Sequence, residues 1–176
     1  MKRFLIGVVL NVACAAVVAA SLWFVGVEFH GPHRLTSPKG RFGKALSSST
    51  STDVDNLIEE SLEEAYDHLR FSLGHKTSFR FSKRDVQPGN CVEYTNYVAK
   101  RFNVLAKKRK IDGQAWVVRS RAKVFGLTLP IAALASHDWV LIKTPTGPKY
   151  IDPTFGDIGL PTDITHMIIS PPDIPK

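Results

Sequence analysis

A run of apolar residues from Phe4 to Val27, interrupted only by Asn11, Ser21 and glycines, withdraws the start of this 176-residue chain from any water-facing fold. It is about the length a helix needs to cross a hydrocarbon core, and Lys2 and Arg3 precede it. The sequence therefore predicts a transmembrane anchor or signal-anchor over residues 1–29. A cleaved signal peptide with Val18 and Ala20 before the cut is the competing reading, but the apolar stretch continues past them through Leu22, Trp23, Phe24 and Val25. A lipidated Cys14 is disfavoured by Asn11, which stands where an aliphatic residue is expected. The two basic residues on the short N-terminal flank compete with Arg34, Lys39, Arg41 and Lys44 on the other side. The expected placement is a single pass through the inner (cytoplasmic) membrane, with the C-terminal domain in a periplasm.

Residues 30–53 carry Gly, Pro, Lys and a Ser/Thr run from Ser47 to Thr52 without helical or strand periodicity, so they read as a flexible linker. The other reading is that part of this stretch packs on the domain as an extended arm. What remains, 54–176, is one domain of roughly 120 residues, with the apolar fraction of 44% usual for a globular chain. Only Cys14 and Cys91 are present, which excludes a disulfide framework and leaves Cys91 as a free thiol. His30, His33, His68, His75 and His166 show no paired spacing with it, so neither a metal nor a cofactor is expected. The net charge of +7 implies basic surface, yet Lys107–Lys110 lies at a helix C-terminus and lacks interleaved aromatics. Nucleic acid is not expected as a partner.

Asp53 or Thr52 can cap a helix in which Val54, Leu57, Ile58, Leu62, Ala65 and Leu69 recur at three- and four-residue steps, ending near Gly74. Pro88, Gly89 and Asn90 lead into a second helix, whose buried side takes Val92, Tyr94, Val98, Phe102, Leu105 and Ala106. Three strands follow. Ala115–Val118 suits burial on both faces, Trp139–Ile142 forms the second strand, and Tyr150–Ile151 returns after a turn at Pro145–Pro148. Val124–Ala135 reads as a loop or short helix over the site. Trp116 and Trp139 alternate within apolar strands and are assigned to the core.

Three side chains in this scaffold carry chemistry. A thiol becomes a useful nucleophile when a base or a positive field holds it as thiolate, and the base works best when a third group fixes its tautomer. Cys91 opens a helix, where unpaired N–H groups and the positive dipole end favour an anion. His137 enters one strand and Asp152 ends the next, so a hairpin brings imidazole and carboxylate to the same end. Asp138 neighbours His137, but adjacent strand side chains point to opposite faces, which favours Asp152 as the orienting acid.

The segments Gly89-Asn90-Cys91-Val92-Glu93-Tyr94, His137-Asp138-Trp139-Val140 and Tyr150-Ile151-Asp152-Pro153-Thr154 together resemble the transglutaminase-like cysteine superfamily, including its bacterial cysteine-proteinase branch. The resemblance covers Gln87 to Asp157. It implies an α+β fold, a papain/transglutaminase-like core with helices packed on a small antiparallel sheet, here behind an N-terminal transmembrane helix. It also implies acyl chemistry through a thioester on Cys91, with His137 as base and Asp152 as its support. The backbone N–H of Cys91 is a natural oxyanion donor, and Gln87 is a second candidate through its side-chain amide. The expected function is a membrane-anchored cysteine hydrolase, protease or amidase, or an acyltransferase, acting on a peptide or protein. A catalytically silent domain of the same fold, binding a peptide or an envelope protein, is the alternative.

Overall fold

Residues 26–39, 41–42, 53–72, 77, 80–81, 86–128 and 136–174 are described in a computed structural model of the chain. In chain order they form β1 (Val27–Thr36), β2 (Arg41–Phe42), α1 (Val54–His68), β3 (Leu69–Phe71), β4 (Arg80–Phe81), β5 (Gln87–Gly89), α2 (Cys91–Arg109), β6 (Gln114–Val124), β7 (Leu127–Thr128), β8 (Ser136–Thr144), β9 (Gly147–Ile151) and α3 (Pro153–Asp157), then a 3-10 turn over Thr165–Met167. The principal sheet is antiparallel in the order β1-β6-β8-β9, with β7 folded back on the end of β6. Two short parallel pairs, β2 with β4 and β3 with β5, lie outside it.

Both faces of this sheet are covered, which explains the nearly continuous apolar runs of β6 and β8. On one face Val117, Val140, Ile142 and Ile151 pack against α1 and α2 through Leu57, Ala65, Tyr94, Val98 and Phe102. On the other, Trp116, Val118, Trp139, Leu141 and Tyr150 are covered by Phe155, Ile164, Met167 and Ile168 of the C-terminal segment. A polar chain ties this second face together. Trp139 Nε1 donates to Ser120 Oγ at 2.8 Å, Ser120 Oγ meets His33 Nδ1 at 2.6 Å, and His33 Nε2 donates to the Ile169 carbonyl at 3.2 Å.

The helices dock by charge as well as by apolar contact. Arg101 of α2 is 1% exposed and lies between Glu60 and Glu64 of α1, with Nε 2.5 Å from Glu64, while Arg109 Nη2 reaches Glu60 at 2.8 Å. The acidic residues of α1 thus do more than complement its dipole. Arg109, part of the basic run at the end of α2, is largely buried.

The N-terminal expectation is corrected. Among the described residues no helix is long and apolar enough to cross a membrane, and Phe4–Val25, where the transmembrane helix was expected, lies outside those residues. The end of that apolar run, moreover, is not anchor. Val27 to His30 pair with Val124 to Arg121, and Arg34 to Thr36 pair with Arg119 to Val117 after a register shift. Val27 and Phe29 point inward at 5% and 1% exposure, so strand β1 takes in residues assigned to both anchor and linker, and the folded unit begins before Val54. The extended-arm reading describes residues 30–36. Likewise Val124–Thr128 closes the β6–β7 hairpin rather than forming a loop or helix over the site, and residues 129–135 lie outside those described.

Phe29 tests this assignment. Phe29→Ala is expected to lower unfolding free energy by about 3–4 kcal/mol, as for a large aromatic core truncation, measured by urea denaturation. A loss below about 1 kcal/mol would show that residues 27–36 do not belong to the cooperative unit.

Candidate active site

The start of α2 is fixed by a reciprocal cap. Asn90 Oδ1 accepts the Val92 N–H at 2.9 Å, the Glu93 carboxylate accepts the Asn90 N–H at 3.1 Å, and the Tyr94 N–H bonds the Asn90 carbonyl at 3.1 Å. Asn90 is therefore the cap, and Cys91 occupies the first helical position. The N–H of Cys91 stands outside this cap, as the backbone donor nearest the sulfur. Strand β5 delivers the chain to this point by pairing with β3, Leu69 opposite Gln87 and Phe71 opposite Gly89. Gly89 allows the close approach, since a Cβ there would sit 3.2 Å from Tyr94 Cε2. Cys91 is half-buried and unpaired with another cysteine.

His137 and Asp152 converge through the β8–β9 hairpin. Val140 opposes Ile151, and the chain turns through Pro145 and Thr146, a tighter loop than the four residues expected. Asp152 is fully buried. Its Oδ1 caps α3 by accepting the Thr154 N–H at 2.9 Å, and its Oδ2 accepts from His137 Nε2 at 2.5 Å. With Nε2 engaged there, Nδ1 is the ring nitrogen available to Cys91. Burial pushes the imidazolium pKa down, but the charge and hydrogen bond of Asp152, joined by a hydrogen bond and charge from Cys91, more than reverse this. The ring is held well above its ordinary value. The structure thus joins His137 to Asp152 and sets Cys91 near enough for its charge to act on the ring.

Two aromatic rings hold the imidazole that sequence reasoning did not assign to the site. Phe29 stacks on His137 with centroids 5.2 Å apart and planes 11° apart, and Phe155 does so at 5.8 Å and 28°. Such faces favour a cation and limit ring rotation. The alternation Val27-Glu28-Phe29-His30 was the available signal for Phe29, masked by the apolar run that precedes it.

Asp138 is occupied elsewhere, as the alternation rule requires. It takes both N–H groups of a fork from Arg119, Nε at 2.6 Å and Nη2 at 2.8 Å. These bonds raise Arg119 above its ordinary value against the effect of burial, and the Asp138 and Cys91 charges add to the rise. Gln87 stands half-buried in β5, four residues before Cys91. Trp139 and Trp116 are core residues at 0% and 8% exposure.

The imidazole–carboxylate bond has a signed consequence for stability. In a Cys91→Ala background, the native ring keeps a proton that the unfolded chain releases near pH 6.5. The stability His137 contributes is then complete below about pH 6.5 and is lost as pH rises through the raised native value. Urea unfolding between about pH 6 and 9 is expected to show this fall, and Asp152→Asn in the same background, which preserves a capping side chain, to flatten it. Stability that rises with pH over this range would mean that burial outweighs Asp152.

Comparison with known proteins adds no identity to this geometry: no family model, curated protein or solved structure matches the chain.

Proposed function

We propose that the protein is a cysteine hydrolase or acyltransferase of the transglutaminase-like type, acting on a peptide or amide bond through a thioester on Cys91. The observation that carries this reading is the His137–Asp152 bond, which leaves Nδ1 free to serve Cys91, a thiol at the first position of a helix whose charge acts on the ring. In the proposed reaction His137 Nδ1 already holds the Cys91 proton, and the thiolate Sγ bonds to the carbonyl carbon. The tetrahedral oxyanion faces the N–H of Cys91 at the positive end of α2. As the intermediate collapses, the C–N bond breaks and His137 returns its proton to the leaving amine. Water or an amine then attacks the thioester, giving its proton to His137, and the Cys91 sulfur leaves as thiolate beside the imidazolium so formed. Asp152 neither gains nor loses a proton. It holds Nε2 and stabilises the imidazolium. Gln87 is proposed as an auxiliary oxyanion donor.

Acyl-enzyme formation with an activated peptide ester tests the reading. Mass spectrometry is expected to find the acyl group on the tryptic peptide containing Cys91. Cys91→Ala is expected to abolish labelling, His137→Ala to slow it by about 10⁴-fold or more, and Asp152→Asn by about 10²- to 10⁴-fold. Labelling at equal rates in wild type and His137→Ala would reduce the site to an ordinary thiol and leave peptide binding without turnover as the reading.

A further inference from the structure

Beside the nucleophile, one row of charged side chains is explained neither by packing nor by the acyl-transfer steps. Arg34, Arg119 and Asp138 stand directly opposite one another on the adjacent strands β1, β6 and β8. Asp138 is 3% exposed, and both its carboxylate oxygens accept from Arg119. Arg34 therefore faces a guanidinium across the strand pair, an arrangement that destabilises antiparallel strands when the charges are alike. Burial offers no reason for it, because Arg34 is exposed.

The row lines a cleft of about 200 Å³ between the sheet and the first turns of α2. Lys39 lines it too, and its segment is fixed over the helix by a 2.6 Å bond from the Lys39 N–H to Asn96 Oδ1. Val92, the residue after Cys91, forms part of the wall, and the Cys91 charge acts on Arg119, so the cleft adjoins the thiol. Pockets for whole small-molecule ligands run to roughly 300–1,000 Å³. This smaller cleft suits one side chain of an extended peptide. Its lining sets Arg34 and Arg119 against one carboxylate that Arg119 already engages, which selects an anion.

We propose that this cleft is the subsite that receives an acidic side chain of the peptide substrate, its carboxylate facing Arg34 and the outer N–H groups of Arg119. The bound carboxylate relieves the repulsion between the two arginines and sets the register of the substrate on Cys91. This assignment rests on Cys91 being the nucleophile.

Two alkylating reagents of similar size and the same leaving group, anionic iodoacetate and neutral iodoacetamide, test it on the full chain. Both react with the same thiolate, so the ratio of their rates cancels the intrinsic reactivity of Cys91 and reads the local field. The iodoacetate-to-iodoacetamide ratio is expected to fall about three-fold in Arg34→Gln and about ten-fold in Arg34→Gln/Lys39→Gln. In wild type it is expected to depend more steeply on salt than in the double variant. Arg34→Gln removes a repulsion at an exposed position, so the fold is expected to persist by circular dichroism. A capped triglutamate peptide is expected to protect Cys91 from iodoacetamide in wild type, and a capped triglutamine peptide to give none of that protection. Equal ratios in wild type and the double variant, or the same protection by both peptides, overturn the proposal. Failure of the nucleophile reading is separate, because it shows as an iodoacetamide rate that does not respond to His137→Ala.

Discussion

A carboxylate taken out of water has to find partners for both oxygens, and Asp152, which has no exposed surface, finds them in two different elements. One oxygen caps the short helix that follows β9, and the other accepts from His137 at the start of β8. The same residue therefore ends a strand, starts a helix and fixes an imidazole. Its own N–H is anchored to the Thr162 carbonyl at 2.8 Å, so the C-terminal segment is drawn against the sheet at this point. Breaking the pair would leave a buried charge without compensation, which ties the geometry of the site to the stability of the fold.

The second dependence is on the edge strand. Phe29 is at once a core residue, a neighbour of the C-terminal turn through the Ile169 N–H to Phe29 carbonyl bond of 2.9 Å, and a face against which His137 stacks. Strand β1 also supplies Arg34 beside the cleft and His33 to the polar chain through Ser120 and Trp139. A segment that contributes no nucleophile or base thus shapes the orientation and the charge around both. The aromatic faces flanking the ring and the carboxylate behind it favour the protonated imidazole, while the start of α2 favours the developing anion on the Cys91 sulfur.

Some of this was legible in the residues. The order of Cys91, His137 and Asp152 drew attention to the start of a helix and the two ends of a hairpin, and these are local signals that fix where side chains go. The alternation rule also separated the roles of Asp138 and Asp152 correctly. What the sequence concealed was β1. Its period-two pattern follows an apolar run without a break, so Val27 and Phe29 were absorbed into the transmembrane reading, and the glycine and proline at positions 31 and 32 resembled a linker. Pairing between residues about ninety positions apart leaves no local trace. The Arg101 network and the Arg34–Arg119–Asp138 row escaped for the same reason, since register across strands and helix-to-helix docking depend on the assembled fold.

If Asp152 and the ring stack hold the proton, His137 remains an imidazolium beside Cys91, and nitrogen-15 NMR of the histidine ring reads this state. At about pH 7.5, a full unit above the ordinary histidine value, both ring nitrogens of His137 are expected to resonate as protonated, with Nε2–H strongly hydrogen-bonded. A neutral ring at that pH, with Nε2 lacking its proton, would contradict it.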